Sequence, residues 1–158
     1  MIDSHPNCLL IDELLRSAGV PGRVQILSEP APTAVAAARL VGCDVGAIAN
    51  SLIFATAEET PVLVLTSGAH RVDTAKVATL VGTSKLSRAT PDFVRESTGQ
   101  VIGGVAPVGH PAPIRTVVDR DLAGFPTIWA AGGIPHAVFP ISYPELVSLT
   151  QGEEADVA

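Results

Sequence analysis

Apolar and polar positions in the first part of the chain follow the spacing of helices. Four leucines between Leu9 and Leu15 predict a first helix, with Asn7 as its N-terminal cap and Gly19 as its end. A short strand is predicted around residues 24–27. The chain therefore begins with a helix and a strand that lie close together in sequence.

The alanine-rich segment 33–41 predicts a second helix, which ends at Gly42. From there the pattern changes to continuous β-rich runs. Residues 51–55 and 62–66 are two such runs, and the polar link 56–61 joins them. Two apolar runs that flank a short polar link predict a β-hairpin.

Capping residues indicate three further helices. Asp73 caps one of them, and Thr90 with Pro91 begins the next, since proline fits the first helical position. Ser142 and Glu145 have the spacing of a capping box and predict a last helix. Three more strands are predicted, at residues 114–118, 127–131 and 137–141.

Helices and strands alternate irregularly, and neighbouring strands are linked as hairpins. This order favours an α+β fold with a mixed or antiparallel sheet over a doubly wound parallel sheet. The sequence contains no internal repeat and no linker, so residues 1–158 are predicted to form a single domain. The acidic tail from about residue 153 is expected to be frayed.

Composition and charge exclude several classes of protein. Apolar residues make up 47% of the 158 residues and the formal net charge is −6, which argues against a broad basic face for nucleic acid but leaves room for a pocket that takes only its end. Residues 122–144 carry no charge, yet four prolines and three glycines interrupt them, so no membrane span is expected. The first 19 residues lack the pattern of a secretory signal. Cys8 and Cys43 lack metal-site spacing and are typical of reduced thiols in a cytoplasmic protein.

A glycine-proline loop, GGVAPVGHP at 103–111, lies in a long segment with few charges. Its two-glycine spacing resembles part of a phosphate-binding loop, but His110 and Pro111 stand where lysine and serine or threonine belong. Glycine has no side chain to block the approach of a ligand to backbone N–H groups. The loop is thus either a ligand-binding backbone or a tight structural turn.

The four histidines suggest no metal site by their spacing. Ser67, His70 and Asp73 form an imaginable triad, but they lie on one short loop, and surface capping is the better interpretation. A zinc site built from His70, His110 and His136 would lack paired ligand spacing.

Two large side chains leave alternatives open. Trp129, the single tryptophan, is interpreted as a core anchor rather than a platform for a base. Arg71 lies in a loop beside a helix start, where it either meets a phosphate or forms a salt bridge or cap.

Several long blocks, taken together and in order, resemble the YbaK/EbsC family of aminoacyl-tRNA deacylases, which is related to the editing domain of bacterial prolyl-tRNA synthetases. The blocks are NSLIF (50–54), LVLTSGAHRVDTAKVATLVG (63–82), ATPDFVRESTGQVIGGVAPVGHP (89–111), VVD (117–119) and WAAGGIPHAVF (129–139).

The resemblance implies an α+β domain with a strongly curved, barrel-like mixed sheet flanked by helices. It also implies a cleft for the 3′ end of a mischarged aminoacyl-tRNA, with an aminoacyl-tRNA synthetase as a further partner and with neither DNA nor a membrane. No metal and no cofactor are expected. The implied reaction is the hydrolysis of a small amino acid, such as alanine, cysteine or proline, from the tRNA.

The resemblance assigns catalysis to Asn50 and to the main chain of Gly103 and Gly104, because preorganised N–H donors stabilise the oxyanion of ester hydrolysis. Pro107 would hold the shape of the loop. The substrate-binding residues implied are Ser51, Pro107, Ala131, Gly132, Gly133, His136 and His70.

Asn50 departs from the family pattern, which usually has a lysine at this position. An amide donates hydrogen bonds but carries no charge. Two functions therefore stay open: a deacylase whose oxyanion cradle suffices, and a binding module that holds an aminoacyl-adenosine or a synthetase without turnover.

Overall fold

An eight-stranded mixed β-sheet, flanked by five α-helices, forms the centre of the molecule, which a computed structural model describes over residues 5–158. Residues 1–4, the first part of the segment that was tested for a secretory signal, lie outside the described residues. The strands are β1 (Gln25–Ile26), β2 (Ile48–Thr56), β3 (Pro61–Ser67), β4 (Leu86–Arg88), β5 (Arg115–Asp119), β6 (Ile128–Ala131), β7 (Ala137–Ile141) and β8 (Glu153–Ala155). The helices are α1 (Pro6–Ser17), α2 (Ala34–Val41), α3 (Thr74–Val81), α4 (Pro91–Thr98) and α5 (Tyr143–Thr150).

The sheet has the order β1-β7-β6-β2-β3-β5-β8, with β4 as an additional neighbour of β2. β2 and β3 form the predicted antiparallel hairpin. The parallel pairs are β2 with β6, β3 with β5, and β5 with β8. The α+β fold with a mixed sheet is confirmed.

β2 has two different neighbours along one edge, and this opens the sheet. Ile48 and Ala49 pair with β6, whereas Phe54 to Thr56 pair with β4. Between these two pairings, residues 50–52 have a strand neighbour only on the β3 side. The opening lies at the position of Asn50.

The helix starts follow the capping chemistry that the sequence predicts. Thr33, Asp73 and Thr90 each accept a hydrogen bond from a backbone N–H in the first turn of α2, α3 and α4. Ser142 and Glu145 form a complete capping box at α5. In α1, however, the cap is His5 rather than Asn7, because the His5 ring accepts from the Asn7 N–H at 3.1 Å.

Hydrophobic side chains fill both faces of the sheet. β3 shows this most clearly, since Leu63 and Leu65 belong to the core shared with α1 and α5, and Val62 and Val64 to the core shared with α3. A strand buried on both faces reads as a continuous apolar run. A third cluster packs α2 against Ile48.

The prediction of a frayed tail is wrong. β8 pairs in parallel with β5, and Val157 is fully buried. The Asp73 N–H donates to the Val157 carbonyl oxygen at 2.7 Å, which ties the tail to the start of α3. The tail alternates acidic and apolar residues, and its apolar residues, Ala155 and Val157, complete the core that lies under α3.

Neither Cys8 nor Cys43 takes part in a disulfide bond. Burial, together with the nearby Asp44 carboxylate, raises the pKa of the Cys43 thiol. Within residues 5–158, no helix has the length and apolar character needed to cross a membrane.

Candidate active site

A cavity of about 480 Å³ lies at the opening of the sheet, and we call it the inner cavity. Its walls come from the start of α2, from β2, from β6 and β7, and from the glycine-proline loop. The lining residues are Ala31, Pro32, Thr33, Ala34, Ala37, Ile48, Ala49, Asn50, Ser51, Gly103, Val105, Trp129, Ala130, Ala131, Pro135, Ala137 and Val138.

Small, uncharged side chains dominate this lining. Seven of its residues are alanines, and no lining residue is ionisable. Short side chains leave the space that a ligand occupies, and an uncharged wall favours an apolar or neutral group over an ion. The inner cavity can therefore hold a small acyl group.

Asn50 and Ser51 of β2 both line the inner cavity, and neither side chain has a partner in the described protein. The Asn50 side-chain amide makes no hydrogen bond with any residue of 5–158. The Ser51 hydroxyl oxygen is buried and has no hydrogen-bond partner in the same part of the chain. An unmade hydrogen bond at a buried polar atom costs about 1–3 kcal/mol.

Gly103 and Gly104 differ in what their backbones do. The Gly104 N–H donates to the Val101 carbonyl oxygen at 2.9 Å, so the prediction that it serves as an oxyanion donor is not supported by the geometry. Gly103 lines the inner cavity, and its N–H has no hydrogen-bond partner within the described chain. Gly103 is thus the member of the pair whose donor is available.

The glycines themselves are required for separate reasons. Gly103 has a φ of +89°, a backbone conformation that favours glycine. A Cβ on Gly104 would lie 2.6 Å from the carbonyl carbon of Ile134, so a side chain there would collide with the backbone of a neighbouring segment. Gly104 therefore allows the loop to pack closely on Ile134, and Gly103 is the glycine of the pair that lines the cavity.

Gln100 and His110 hold the glycine-proline loop in shape, and no pattern in the sequence indicates this role for Gln100. The Ala106 N–H donates to Oε1 of the buried Gln100 at 2.6 Å. Nε2–H of His110 donates to the Ala106 carbonyl oxygen at 2.9 Å. Burial lowers the pKa of the His110 imidazole, and the hydrogen bond to Ala106 offsets part of this effect.

The second small-residue segment reaches the inner cavity only through Ala131. Gly132 donates from its N–H to the Ala137 carbonyl oxygen, and the Gly133 carbonyl oxygen accepts from the Asn7 side chain. These two glycines connect β6 to β7 and seat α1, and they do not line the cavity as predicted.

Pro107 and His136 also lie outside the lining. Pro107 is buried in the glycine-proline loop, in line with its predicted role of holding the loop's shape. The His136 carbonyl oxygen accepts from the Leu27 N–H at 2.7 Å, which fixes the segment before α2 against β7. His136 lines neither the inner cavity nor the larger cavity beside it, and its assignment to substrate binding stays a prediction.

A wider, open cavity of about 1200 Å³ adjoins the inner cavity, and we call it the vestibule. The two share Pro32, Thr33, Ala34, Asn50, Ser51 and Gly103, so they form one continuous space with Asn50 at the junction. The remaining lining of the vestibule is Leu52, Phe54, His70, Arg71, Val72, Thr74, Arg88 and Ile102.

His70 lines the vestibule but forms no triad. Its Nδ1 lies 2.8 Å from Oδ2 of the buried Asp119, and its Nε2 lies 3.2 Å from Oδ2 of Asp121. Ser67 donates its hydroxyl to the Gly46 carbonyl oxygen, and Asp73 caps α3. The ligand atoms of His70 and the two aspartates lie within 4.8 Å of one another, and hydrogen bonding between ring and carboxylates accounts for the cluster.

Two parts of the site were missed by sequence reasoning. Trp129 packs with the α2 cluster as a core anchor would, but it also forms a wall of the inner cavity. The segment 32–34 lines both cavities. The sequence indicated only that an alanine-rich helix begins at Thr33, and nothing in it pointed to a binding site.

Comparisons with known proteins match this architecture. The sequence profile of a family described as aminoacyl-tRNA editing domain matches residues 28–149. The uncharacterized protein YwhH of Bacillus subtilis (strain 168) is 30% identical over 110 residues, which are 70% of this chain and 69% of that protein.

Solved structures extend the similarity to nearly the whole chain. A protein put forward as a trans-editing enzyme for prolyl tRNA synthetase has a TM-score of 0.90 and 41% identity, and the match covers 98% of both chains. The hypothetical protein APE2540 has a TM-score of 0.86 and 31% identity, with 94% of this chain and 98% of that chain covered.

Proposed function

This chain belongs to the aminoacyl-tRNA editing domain family, and from that premise we propose that it is an aminoacyl-tRNA deacylase with the substrate and mechanism given below. Residues 1–158 form one editing domain. It hydrolyses the ester bond between a small amino acid and the 3′-terminal adenosine of a mischarged tRNA.

One observation supports the proposal: three residues that line an uncharged cavity each carry a hydrogen-bonding group without a partner in the described protein. They are the Asn50 side-chain amide, the Ser51 hydroxyl and the Gly103 N–H. The alanine-rich wall takes the amino-acid side chain, and the junction with the vestibule takes the ribose.

The mechanism relies on hydrogen-bond donors rather than on a protein base. Water attacks the carbonyl carbon of the ester, and the Gly103 N–H and the Asn50 Nδ2–H donate to the developing oxyanion. Fixed donors of this kind stabilise the transition state because they already point to the place where the negative charge develops. The intermediate collapses with cleavage of the carbon–oxygen bond, and the ribose oxygen leaves.

The proton of the attacking water has no ionisable acceptor in the lining of the inner cavity. We infer that the vicinal hydroxyl of the substrate's own ribose relays this proton to the leaving ribose oxygen. The protein then contributes orientation and electrostatic stabilisation, and the substrate contributes the proton transfer.

The test is a deacylation assay on tRNAs charged with alanine, cysteine or proline, beginning with tRNAPro. The similarity to a protein put forward as a trans-editing enzyme for prolyl tRNA synthetase makes tRNAPro the first choice, and addition of that synthetase tests it as a partner. We expect acceleration on at least one mischarged tRNA. If both the wild-type protein and Asn50→Lys are inert on every tRNA, the proposed hydrolysis is wrong.

The uncharged Asn50 supports a second candidate, a module that binds an aminoacyl-adenosine without turning it over. Its test is calorimetry with a nonhydrolysable aminoacyl-adenosine analogue. Tight binding, together with no hydrolysis of any mischarged tRNA, would establish the binding module in place of the enzyme.

A further inference from the structure

We propose that the vestibule is a phosphodiester-binding subsite in which Arg71 and Arg88 contact the RNA backbone on the 5′ side of the terminal adenosine. This inference rests on the proposed function, because the adjoining inner cavity would hold the esterified end of the same strand.

The sign of the charge around the vestibule is the first observation. The chain has a formal net charge of −6, yet no carboxylate lines this cavity. The ionisable residues of its lining are His70, Arg71 and Arg88. A positive patch on an acidic protein attracts an anion to that place and away from the rest of the surface.

The two arginines are also free to bind. Seven of the ten lysines and arginines hold a carboxylate or a carbonyl oxygen in residues 5–158. Within that range, the three without such a partner are Arg71, Lys85 and Arg88. Two of these three cations, Arg71 and Arg88, line the vestibule. Within residues 5–158, Arg71 forms neither the salt bridge nor the cap that the sequence analysis considered for it.

His70 adds little net charge. The Asp119 and Asp121 carboxylates lie 2.8 Å and 3.2 Å from its two ring nitrogens, so any positive charge on the ring is already compensated. The uncompensated charge of the vestibule is that of the two guanidinium groups. A guanidinium group matches the geometry of phosphate oxygens and keeps its charge at every physiological pH.

The rest of the vestibule lining suits a nucleotide rather than an acidic peptide. Leu52, Val72 and the 54% exposed Ile102 offer an apolar surface beside the arginines. Unpaired RNA bases pack against apolar side chains while phosphates meet basic side chains. A single-stranded CCA end combines both chemistries, and a polycarboxylate offers only the charge.

The experiment measures binding of a 5′-phosphorylated CCA trinucleotide to the full chain as a function of salt. Two phosphate contacts predict a slope of log K against log salt of about −1.4. Arg71→Gln and Arg88→Gln should each weaken binding about two- to fivefold, as expected for exposed ion pairs, and each should reduce the slope by about 0.7.

Lys85→Gln is the matched control, because it removes the third unpartnered cation, which lies outside the lining, and its CCA affinity should equal that of the wild type. Adenosine, which lacks a phosphate, should lose much less affinity than CCA in the arginine variants. No measurable CCA binding, an unchanged slope in both variants, or equal competition by hexaglutamate would overturn the proposal.

Hydrolysis of a phosphate-free aminoacyl-adenosine ester separates this inference from the proposed function. Ester hydrolysis with no arginine effect on CCA binding refutes the vestibule subsite alone. Arginine-dependent CCA binding with no hydrolysis of any ester refutes the deacylase alone.

Discussion

Asn50 occupies the junction of the two cavities, where a substrate's ester carbonyl would lie. The family that the sequence resembles usually has a lysine at this position, and this chain has an uncharged amide. In the proposed mechanism, the site therefore stabilises a developing anion with neutral donors. The local consequence is a weaker electrostatic contribution to catalysis. Gly103 and Ser51 provide the remaining unpartnered polar groups at the site.

Replacing Asn50 should change the rate of deacylation in both directions. A charge-assisted hydrogen bond contributes about 1.5–3 kcal/mol, against about 1 kcal/mol for a neutral one, so Asn50→Lys should raise kcat/KM roughly 2–30-fold. Asn50→Ala removes a neutral hydrogen bond worth about 1 kcal/mol and should lower kcat/KM about fivefold. Steady-state deacylation of the mischarged tRNA that the wild-type protein hydrolyses measures both changes. Equal rates for the wild type and the two variants would contradict the role of Asn50 as an oxyanion donor.

Gly104 is a residue at which a single methyl group should disturb the fold. Because its Cβ would collide with the backbone of Ile134, Gly104→Ala should cost about 1–3 kcal/mol and lower the Tm by several degrees. Gly124→Ala is the control, since a Cβ there meets no atom within 4 Å. Thermal unfolding decides, and identical Tm values for the two variants would show that the loop tolerates the side chain.

At the scale of elements, the glycine-proline loop is held by side chains that flank it. Gln100 accepts from the Ala106 N–H, and His110 donates to the Ala106 carbonyl oxygen. The same peptide segment is thus bonded from both sides. This arrangement keeps Gly103 at the cavity without any regular secondary structure.

The loop should loosen as the pH falls. Because burial lowers the pKa of folded His110, the unfolded chain binds more protons below the ordinary value of about 6.5. Stability then rises with pH, so the contribution of neutral His110 is complete above about pH 6.5 and decreases as the pH falls toward the folded pKa.

The matched variant for this prediction is His110→Gln, which keeps a hydrogen-bond donor but does not titrate. Denaturant unfolding between pH 5 and 8 should show a smaller loss of stability at low pH for the variant than for the wild type. Parallel stability curves for the two proteins would mean that His110 does not titrate differently in the two states.

Over the whole molecule, the features that depend on neighbouring residues in the sequence, such as helix starts, could be predicted. The features that depend on pairing between distant segments could not. Helix starts at Asp73, Thr90 and Ser142 depend on residues within one turn, and the structure has helices there. The close packing of Gly104 on Ile134 and the place of β8 depend on contacts distant in sequence. A resemblance identifies the site segments, but it does not show which backbone donor of each is free.

The net charge could be predicted from composition, but the place where unpartnered charges meet could not. Composition predicted a protein without a broad basic face, and that agrees with an acidic surface whose unpartnered arginines meet at one cavity. Arg71 and Arg88 come from the loop before α3 and from β4, so no spacing in the sequence could bring them together. Only the folded chain places both beside β2.

The short strand at the end of the described chain has a consequence for behaviour in solution. β8 covers the outer edge of β5 from Val117 to Asp119, and β8 carries the exposed Glu153 and Glu154. Bare sheet edges recruit further strands from other molecules, whereas charged edge strands repel them. We therefore expect the two glutamates to disfavour strand pairing between molecules at this edge.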